Sequence, residues 1–143
     1  IILGKYNRAQ EMRIKFQLDP ESRMIDIPQN INREKIVTIL GNLLENAIEA
    51  AQENASRQGM LQLSMTDFGN DLIIEVEDSG SGIDDESVDL SIQHGFTTKS
   101  GTGRGIGLSL VHENLKYMGG HLTVVRSSLG GMRFTIYIPK HTN

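Results

Sequence analysis

Apolar residues along this chain recur with two periods, and each period predicts a different element. From Ile36 to Ala51 the apolar positions are Ile36, Ile39, Leu40, Leu43, Leu44, Ala47, Ile48 and Ala51. At about 100° per residue they gather on one broad helical face. Asn32 stands in front of this run as an N-cap and Glu34 as an acidic first-turn residue, which predicts a helix over residues 33–55. Asn42, Glu45, Asn46 and Glu49 fall on the opposite stripe. Elsewhere the period is two. Ile14–Leu18 alternates, as do Leu61, Leu63, Met65 and then Leu72, Ile74, Val76. The last two runs flank a Gly69-Asn70 turn and predict a hairpin. His121–Arg126 and Met132–Ile138 predict two more strands around a Ser127–Gly131 turn. Residues 24–28 form a short apolar segment that ends in Pro28. Gly105–Met118 reads as a second long helix, opening in glycines and stopping at Gly119-Gly120. A short helix is expected over 84–90 with Asp84 as its cap, and a mobile Gly-, Ser- and Thr-bearing loop over 91–104. Antiparallel strands combined with one-sided helices give an α+β class, with helices layered on one face of a sheet.

Composition narrows the picture. A chain of 143 residues with 38% hydrophobic and 22% charged residues is one globular domain. It has no apolar run long enough to span a bilayer and no signal peptide. The absence of Cys excludes disulfides and thiolate metal sites and fits a cytoplasmic setting. A net charge of −4 argues against a general nucleic-acid binder, so an anionic ligand needs local basic groups. Ile1 in place of Met suggests a piece of a longer chain.

Three segments carry candidate chemistry. The polar stripe of the first long helix reads either as a solvated face or as a ligand set. Asn is a mediocre helix former, and Asn42 and Asn46 project their carboxamides from neighbouring turns. A side-chain carbonyl is a hard oxygen ligand suited to Mg²⁺. Asp78-Ser79-Gly80-Ser81-Gly82 reads either as a turn after a strand or as a base-reading site. In the second case an ionised Asp78 accepts from the exocyclic amine of adenine, and Gly80 and Gly82 let the backbone approach a flat base. Gly101, Gly103, Gly105 and Gly107 alternate into a helix start, where backbone N–H groups bind phosphate. Lys99 and Arg104 add positive charge there; the competing reading is a flexible surface loop. The segment is neither a P-loop nor a dinucleotide-binding turn, because both spacings fail. His94, His112, His121 and His141 are scattered without metal-ligand spacing and read as surface or structural residues.

Together these segments resemble the ATP-binding catalytic domain of bacterial sensor histidine kinases, in the wider group with gyrase B, Hsp90 and MutL. Asn42 with Leu43-Leu44-Glu45-Asn46-Ala47 resembles the N box, and Asp78 to Ile83 the G1 box. Gly95-Phe96-Thr97-Thr98-Lys99 resembles the F box, Gly103-Arg104-Gly105-Ile106-Gly107-Leu108 the G2 box, and Gly130 to Thr135 the final glycine box and strand. All stand in order over about Ile31 to Pro139. Leu3-Gly4-Lys5 with Ala9 and Glu11, and the runs Glu45–Ala50 and Gly105–Val111, are similar to the citrate/C4-dicarboxylate sensor subfamily.

The resemblance implies a two-layer α/β sandwich with a mixed sheet of about five strands under three helices. It makes residues 1–13 the end of a linker and 14–143 the ATP-binding domain. It implies ATP and Mg²⁺, with Asn46 as the metal ligand, Asp78 as the adenine reader, and Gly80, Gly82 and Ile83 beside the base. Residues 91–104 become an ATP lid, with Thr97, Thr98 and Lys99 near the phosphates. Gly103, Arg104, Gly105, Ile106, Gly107 and Leu108 follow it, and Thr135 completes the cofactor set. Kinases of this group often carry Lys and Tyr where this chain has Glu49 and Ala50, so phosphate neutralisation falls on Mg²⁺, Lys99, Arg104 and lid backbone, and modest ATP affinity is expected. Asn42 stands where hydrolysing relatives have Glu; a carboxamide takes no proton at neutral pH, which favours transfer to an imidazole over hydrolysis. The implied partners are an upstream dimerisation domain with the acceptor His and a response regulator, within a homodimeric inner-membrane receptor whose kinase part is cytoplasmic. The alternatives are an anti-sigma-factor type serine kinase and a degenerate nucleotide-binding module.

Overall fold

A computed structural model describes residues 1–53, 58–80 and 104–141, with backbone alone at 104–107. In chain order the elements are α1 (Ile2–Glu11), β1 (Lys15–Leu18), α2 (Arg33–Glu53), β2 (Met60–Thr66), β3 (Asp71–Asp78), α3 (Arg104–Tyr117), β4 (His121–Arg126) and β5 (Met132–Pro139). The strands make one mixed five-stranded sheet in the order β1-β2-β3-β5-β4. β1 runs parallel to β2, and the other neighbours are antiparallel. The helix expected at 84–90 and the loop expected at 91–104 lie, up to Gly103, outside the described residues.

Period two decides which sheet face is covered. Leu63 pairs with Val76 and Met65 with Ile74 across β2–β3, and Leu72 pairs with Ile138 and Ile74 with Ile136 across β3–β5. These side chains share one face and form the core with Ile39, Leu43, Leu44 and Ile48 of α2 and Val111 and Leu115 of α3. Full burial of each Leu or Ile contributes roughly 1.5–3 kcal/mol. The opposite face carries half-buried Gln62, Ser64, Glu75, Glu77 and Arg133. The expected helix layer on one sheet face is therefore present. β1 follows its alternation only in part: Ile14 and Phe16 are buried, but Leu18 is 45% exposed at the sheet edge.

Local chemistry sets the helix ends. Asn32 Oδ1 accepts from the N–H groups of Glu34 at 2.9 Å and Lys35 at 3.3 Å, the expected N-cap of α2. At the end of α3, Gly119 takes a φ of 71° and Gly120 N–H donates to the Leu115 carbonyl at 2.8 Å. Lys35 Nζ donates to Asn114 Oδ1 at 3.3 Å and sits 4.4 Å from the Tyr117 ring centroid. The start of α2 thus meets the end of α3, and the two helices run antiparallel.

Two further segments complete the core. Residues 1–13, expected as the end of a linker, contain helix α1, packed on the same core through fully buried Ala9. Tyr6 meets Phe16 edge-on, with ring centroids 5.8 Å apart. The apolar segment 24–28 lies outside the helices and strands. Met24 and Ile27 pack against the core, while the N–H groups of Ile25 and Asp26 donate to Asp67 Oδ2 at 2.6 and 2.5 Å. Buried Lys140 donates to the Asp67 carbonyl and, at 2.8 Å, to Asp26 Oδ2. The Asp26 and Ile25 N–H donors hold the Asp67 carboxyl below the ordinary aspartate range against the cost of its burial, with Arg23 and Lys140 adding attraction.

Candidate nucleotide site

β3 ends in a buried carboxylate. Asp78 continues the inward row Leu72, Ile74, Val76 and is 2% exposed. Its Oδ1 accepts from Gly80 N–H at 2.9 Å and from Met132 N–H at 3.3 Å. Its carbonyl accepts from Gly131 N–H at 3.0 Å. Ser79 extends the ladder: its N–H donates to the Met60 carbonyl at 3.1 Å, and its hydroxyl accepts from Met60 N–H at 2.8 Å. Two backbone N–H groups therefore hold this carboxylate in place.

Two glycines make the close approach possible. A Cβ on Gly131 would stand 2.0 Å from Asp78 Oδ1 and 2.5 Å from Gly80 N. A Cβ on Gly80 would stand 2.9 Å from Asp78 Oδ1 and 2.9 Å from both Cβ and O of Ala50. The second contact brings α2 to the end of β3.

Asn46 stands one turn before Ala50 on α2 and about 40° round the helix axis, so it faces the same end of the sheet. The polar stripe is not a uniform solvated face. Asn46 lies at its edge, about 20° from the direction of Ile39, and is only 8% exposed. Among the described residues its Nδ2 is buried without a hydrogen-bond partner. A half-turn of the amide exchanges Nδ2 and Oδ1. That turn sets a hard oxygen at the unpartnered position without breaking any bond at Nδ2, so the side chain fits a Mg²⁺ ligand. Asn42 behaves differently. It is half-buried, and its Nδ2 donates to the Thr38 carbonyl at 2.9 Å, one turn back along its own helix. The two carboxamides do not bond to each other.

The antiparallel pairing brings α3 to the same place. Lys35 is bonded to Asn114. Moving ten residues along α2 from Lys35 reaches Glu45, beside Asn46. Moving ten residues back along α3 from Asn114 reaches Arg104, its first residue. With the helices antiparallel, the N-terminal turn of α3 lies toward the half of α2 that carries Asn46. Such a turn offers N–H groups without intrahelical acceptors to an anion.

Residues 31–142 match the family of histidine kinase-, DNA gyrase B- and HSP90-like ATPases. The chain belongs to this family. It is 40% identical to Sensor protein CitS of Halalkalibacterium halodurans, over 99% of this chain and 26% of that protein. It is 32% identical to Sensor histidine kinase CitA of Klebsiella pneumoniae, over 97% of this chain and 25% of that protein. The chain thus spans about a quarter of the length of these curated relatives. Its fold superposes on the catalytic domain of histidine kinase ThkA with a TM-score of 0.74 and 29% identity, covering 97% of this chain and 90% of that one.

Within this histidine kinase-type ATPase fold, the described site gathers Asp78, Gly80, Asn46 and the first turn of α3. Arg104, Gly105, Ile106 and Gly107 form that turn, and Leu108 is buried behind it. Gly82, Ile83, Thr97, Thr98, Lys99 and Gly103 lie outside the described residues. Thr135 is a correction. It pairs with Glu75 and donates to Glu75 Oε2 at 3.4 Å, on the sheet face away from the helices. Asp78 is three residues beyond Glu75, an odd step, so its side chain is on the other face. Met132 and Gly131 meet Asp78 instead. Counting the strand period back from Ile136 to Met132 would have found the right face, though not the partner.

Proposed function

We propose that the chain is the ATP-binding catalytic domain of a two-component sensor histidine kinase. It passes the γ-phosphoryl group of ATP to a His in a dimerisation domain upstream. The observation that carries this reading is Asp78, a buried carboxylate held by two backbone N–H groups between two glycines that admit no side chain. An ionised carboxylate only accepts hydrogen bonds. At this place it reads the exocyclic amine of adenine and rejects guanine, which presents a carbonyl there.

The other residues take roles around that base. Asn46 holds Mg²⁺, which when bound neutralises phosphate charge and orients the triphosphate. The N–H groups at the start of α3, with Arg104, Thr97, Thr98 and Lys99, receive the phosphate oxygens. Phosphoryl transfer needs positioning and charge stabilisation more than a strong base. Asn42, whose amide is tied to its own helix, activates no water, so ATP persists until an imidazole nitrogen attacks. The Pγ–O bond to ADP breaks as the P–N bond forms. The names of the relatives support a place in a sensor kinase; the proposal puts this domain on the cytoplasmic side of a homodimeric membrane receptor, with a response regulator as the next acceptor. Among the described residues no helix is long and apolar enough to cross a membrane.

Calorimetric titration with ATP and GTP, each with and without Mg²⁺, tests the site. ATP binds, Mg²⁺ tightens it, and GTP binds poorly. Asp78→Asn turns a donor toward the amine and costs about 1–3 kcal/mol of ATP affinity. Equal affinity for ATP and GTP removes the basis of the proposal.

A further inference from the structure

Helix α1 is clasped to α2 at the residue next to Asn46. Glu45 takes four charged contacts from two α1 residues. Arg8 Nε lies 2.9 Å from both carboxylate oxygens, Arg8 Nη2 lies 2.7 Å from Oε1, and Lys5 Nζ lies 3.1 Å from Oε2. One turn earlier on α2, Ile1 Cδ1 lies 3.1 Å from where a Gly41 Cβ would stand. The stripe Ile1, Lys5, Arg8 therefore runs along the stripe Gly41, Glu45 in the same sense, and Glu49 one turn further adds attraction to Arg8. Ala9, fully buried, seats α1 on the core.

This contact adjoins the stripe that carries the candidate site. Asn42 lies about 60° round the helix from Glu45, and Asn46 about 100°. The core grips α2 from the sheet side through Leu43, Leu44, Ala47 and Ile48. Glu45 is gripped from the far side by α1. A roll of about 10° would move a carboxamide by about 1 Å, enough to spoil a metal ligand that must be held within about 0.5 Å. Burial opposes ionisation of Glu45, but the hydrogen bonds from Arg8 and Lys5 prevail and keep its carboxyl below the ordinary glutamate range. The clasp is therefore charged at neutral pH.

We propose that Glu45 is a positioning residue for Asn46, and that α1, through Lys5 and Arg8, sets the metal-dependent part of nucleotide affinity. This rests on Asn46 as the Mg²⁺ ligand. Displacing α1 loosens the metal subsite and leaves the base subsite around Asp78 unchanged. By reciprocity, Mg²⁺-nucleotide tightens α1 onto α2.

The test measures ATP affinity with Mg²⁺ and with chelator, for the wild type, Glu45→Gln, the double variant Lys5→Gln/Arg8→Gln, and the charge reversal K5E/R8E/E45R. The Mg²⁺-dependent gain falls about fivefold in Glu45→Gln and in the double variant, and the charge reversal restores it. Affinity in chelator stays at the wild-type value. A fluorophore at position 3, where Leu3 is 72% exposed, reports reduced mobility on adding ATP with Mg²⁺ and no change with ATP in chelator. The double variant alters only α1, so it decides the matter even if Glu45→Gln fails to fold. An unchanged Mg²⁺-dependent gain in the double variant, or a fluorophore that ignores Mg²⁺, overturns the clasp while leaving the nucleotide reading intact. A wild type without any Mg²⁺-dependent gain overturns the Asn46 assignment and the clasp with it.

Discussion

Gly131 has no room for a methyl group. The atoms an added Cβ would meet are Asp78 Oδ1 at 2.0 Å, Gly80 N at 2.5 Å and the Asp78 carbonyl oxygen at 2.7 Å. Two of the three are backbone, so neither can swing aside. Gly131→Ala is expected to cost about 1–3 kcal/mol in urea unfolding, the usual range for overpacking. It should also weaken ATP binding, because the same shift moves the Asp78 carboxylate. Gly69→Ala, with nothing within 4 Å of its Cβ, is the control and should stay within about 0.5 kcal/mol of the wild type. Equal effects of the two substitutions would contradict the cradle. At this scale the acidic strand end and its following glycine were legible, because Asp78 and Gly80 need only local reading. The pairing partner was not. Thr135 was placed at the site from its position in a motif, whereas the β3–β5 register sets it opposite Glu75 and brings Met132 to Asp78. Register joins residues some fifty positions apart, and one sequence carries no signal for it.

Among the elements, α1 is the least securely held. Its attachment includes the ion pairs of Glu45, and exposed or half-buried pairs contribute about 0.2–1 kcal/mol each. The folded Glu45 carboxyl titrates below its ordinary value of 4.5. Its stabilisation is therefore complete above that value and lost as pH falls through the folded one. Amide exchange should show α1 losing protection below about pH 4.5 while β3 and β5 keep theirs, and Glu45→Gln should remove that step. If α1 protection in the wild type is flat across the acid range, the ion pairs do not hold it. The five strands and the two longer helices are readable because apolar residues recur in each with a regular period, although Leu18 breaks it in β1 and β4 is only partly buried. α1 was not, for a physical reason. Its buried stripe is narrow, Ile2, Ala9 and Met12, while Leu3 faces solvent, and a helix of ten residues is marginal without a partner. Its helicity comes from docking on α2. Segment 24–28 is apolar, and the N–H groups of Ile25 and Asp26 end on the Asp67 carboxylate.

For the whole molecule, the division of labour follows the layers. The sheet and α2 hold the buried Asp78 carboxylate, the candidate base reader, and the candidate metal ligand Asn46 on a packed core, and α3 starts toward the same end. The helix-free sheet face takes no part in that site. The chain spans about a quarter of the length of its curated relatives, and the proposed phosphoryl acceptor is a His of an upstream dimerisation domain. The direct test is labelled ATP with Mg²⁺, given to this chain alone and to the chain mixed with the upstream dimerisation domain. The chain alone is expected to take almost no label and to hydrolyse ATP slowly. The added domain is expected to label rapidly, with a label lost in acid as phosphohistidine is, and not at all with Asn46→Ala. Rapid acid-stable labelling of the lone chain, or no transfer to the cognate acceptor domain, would contradict the proposal.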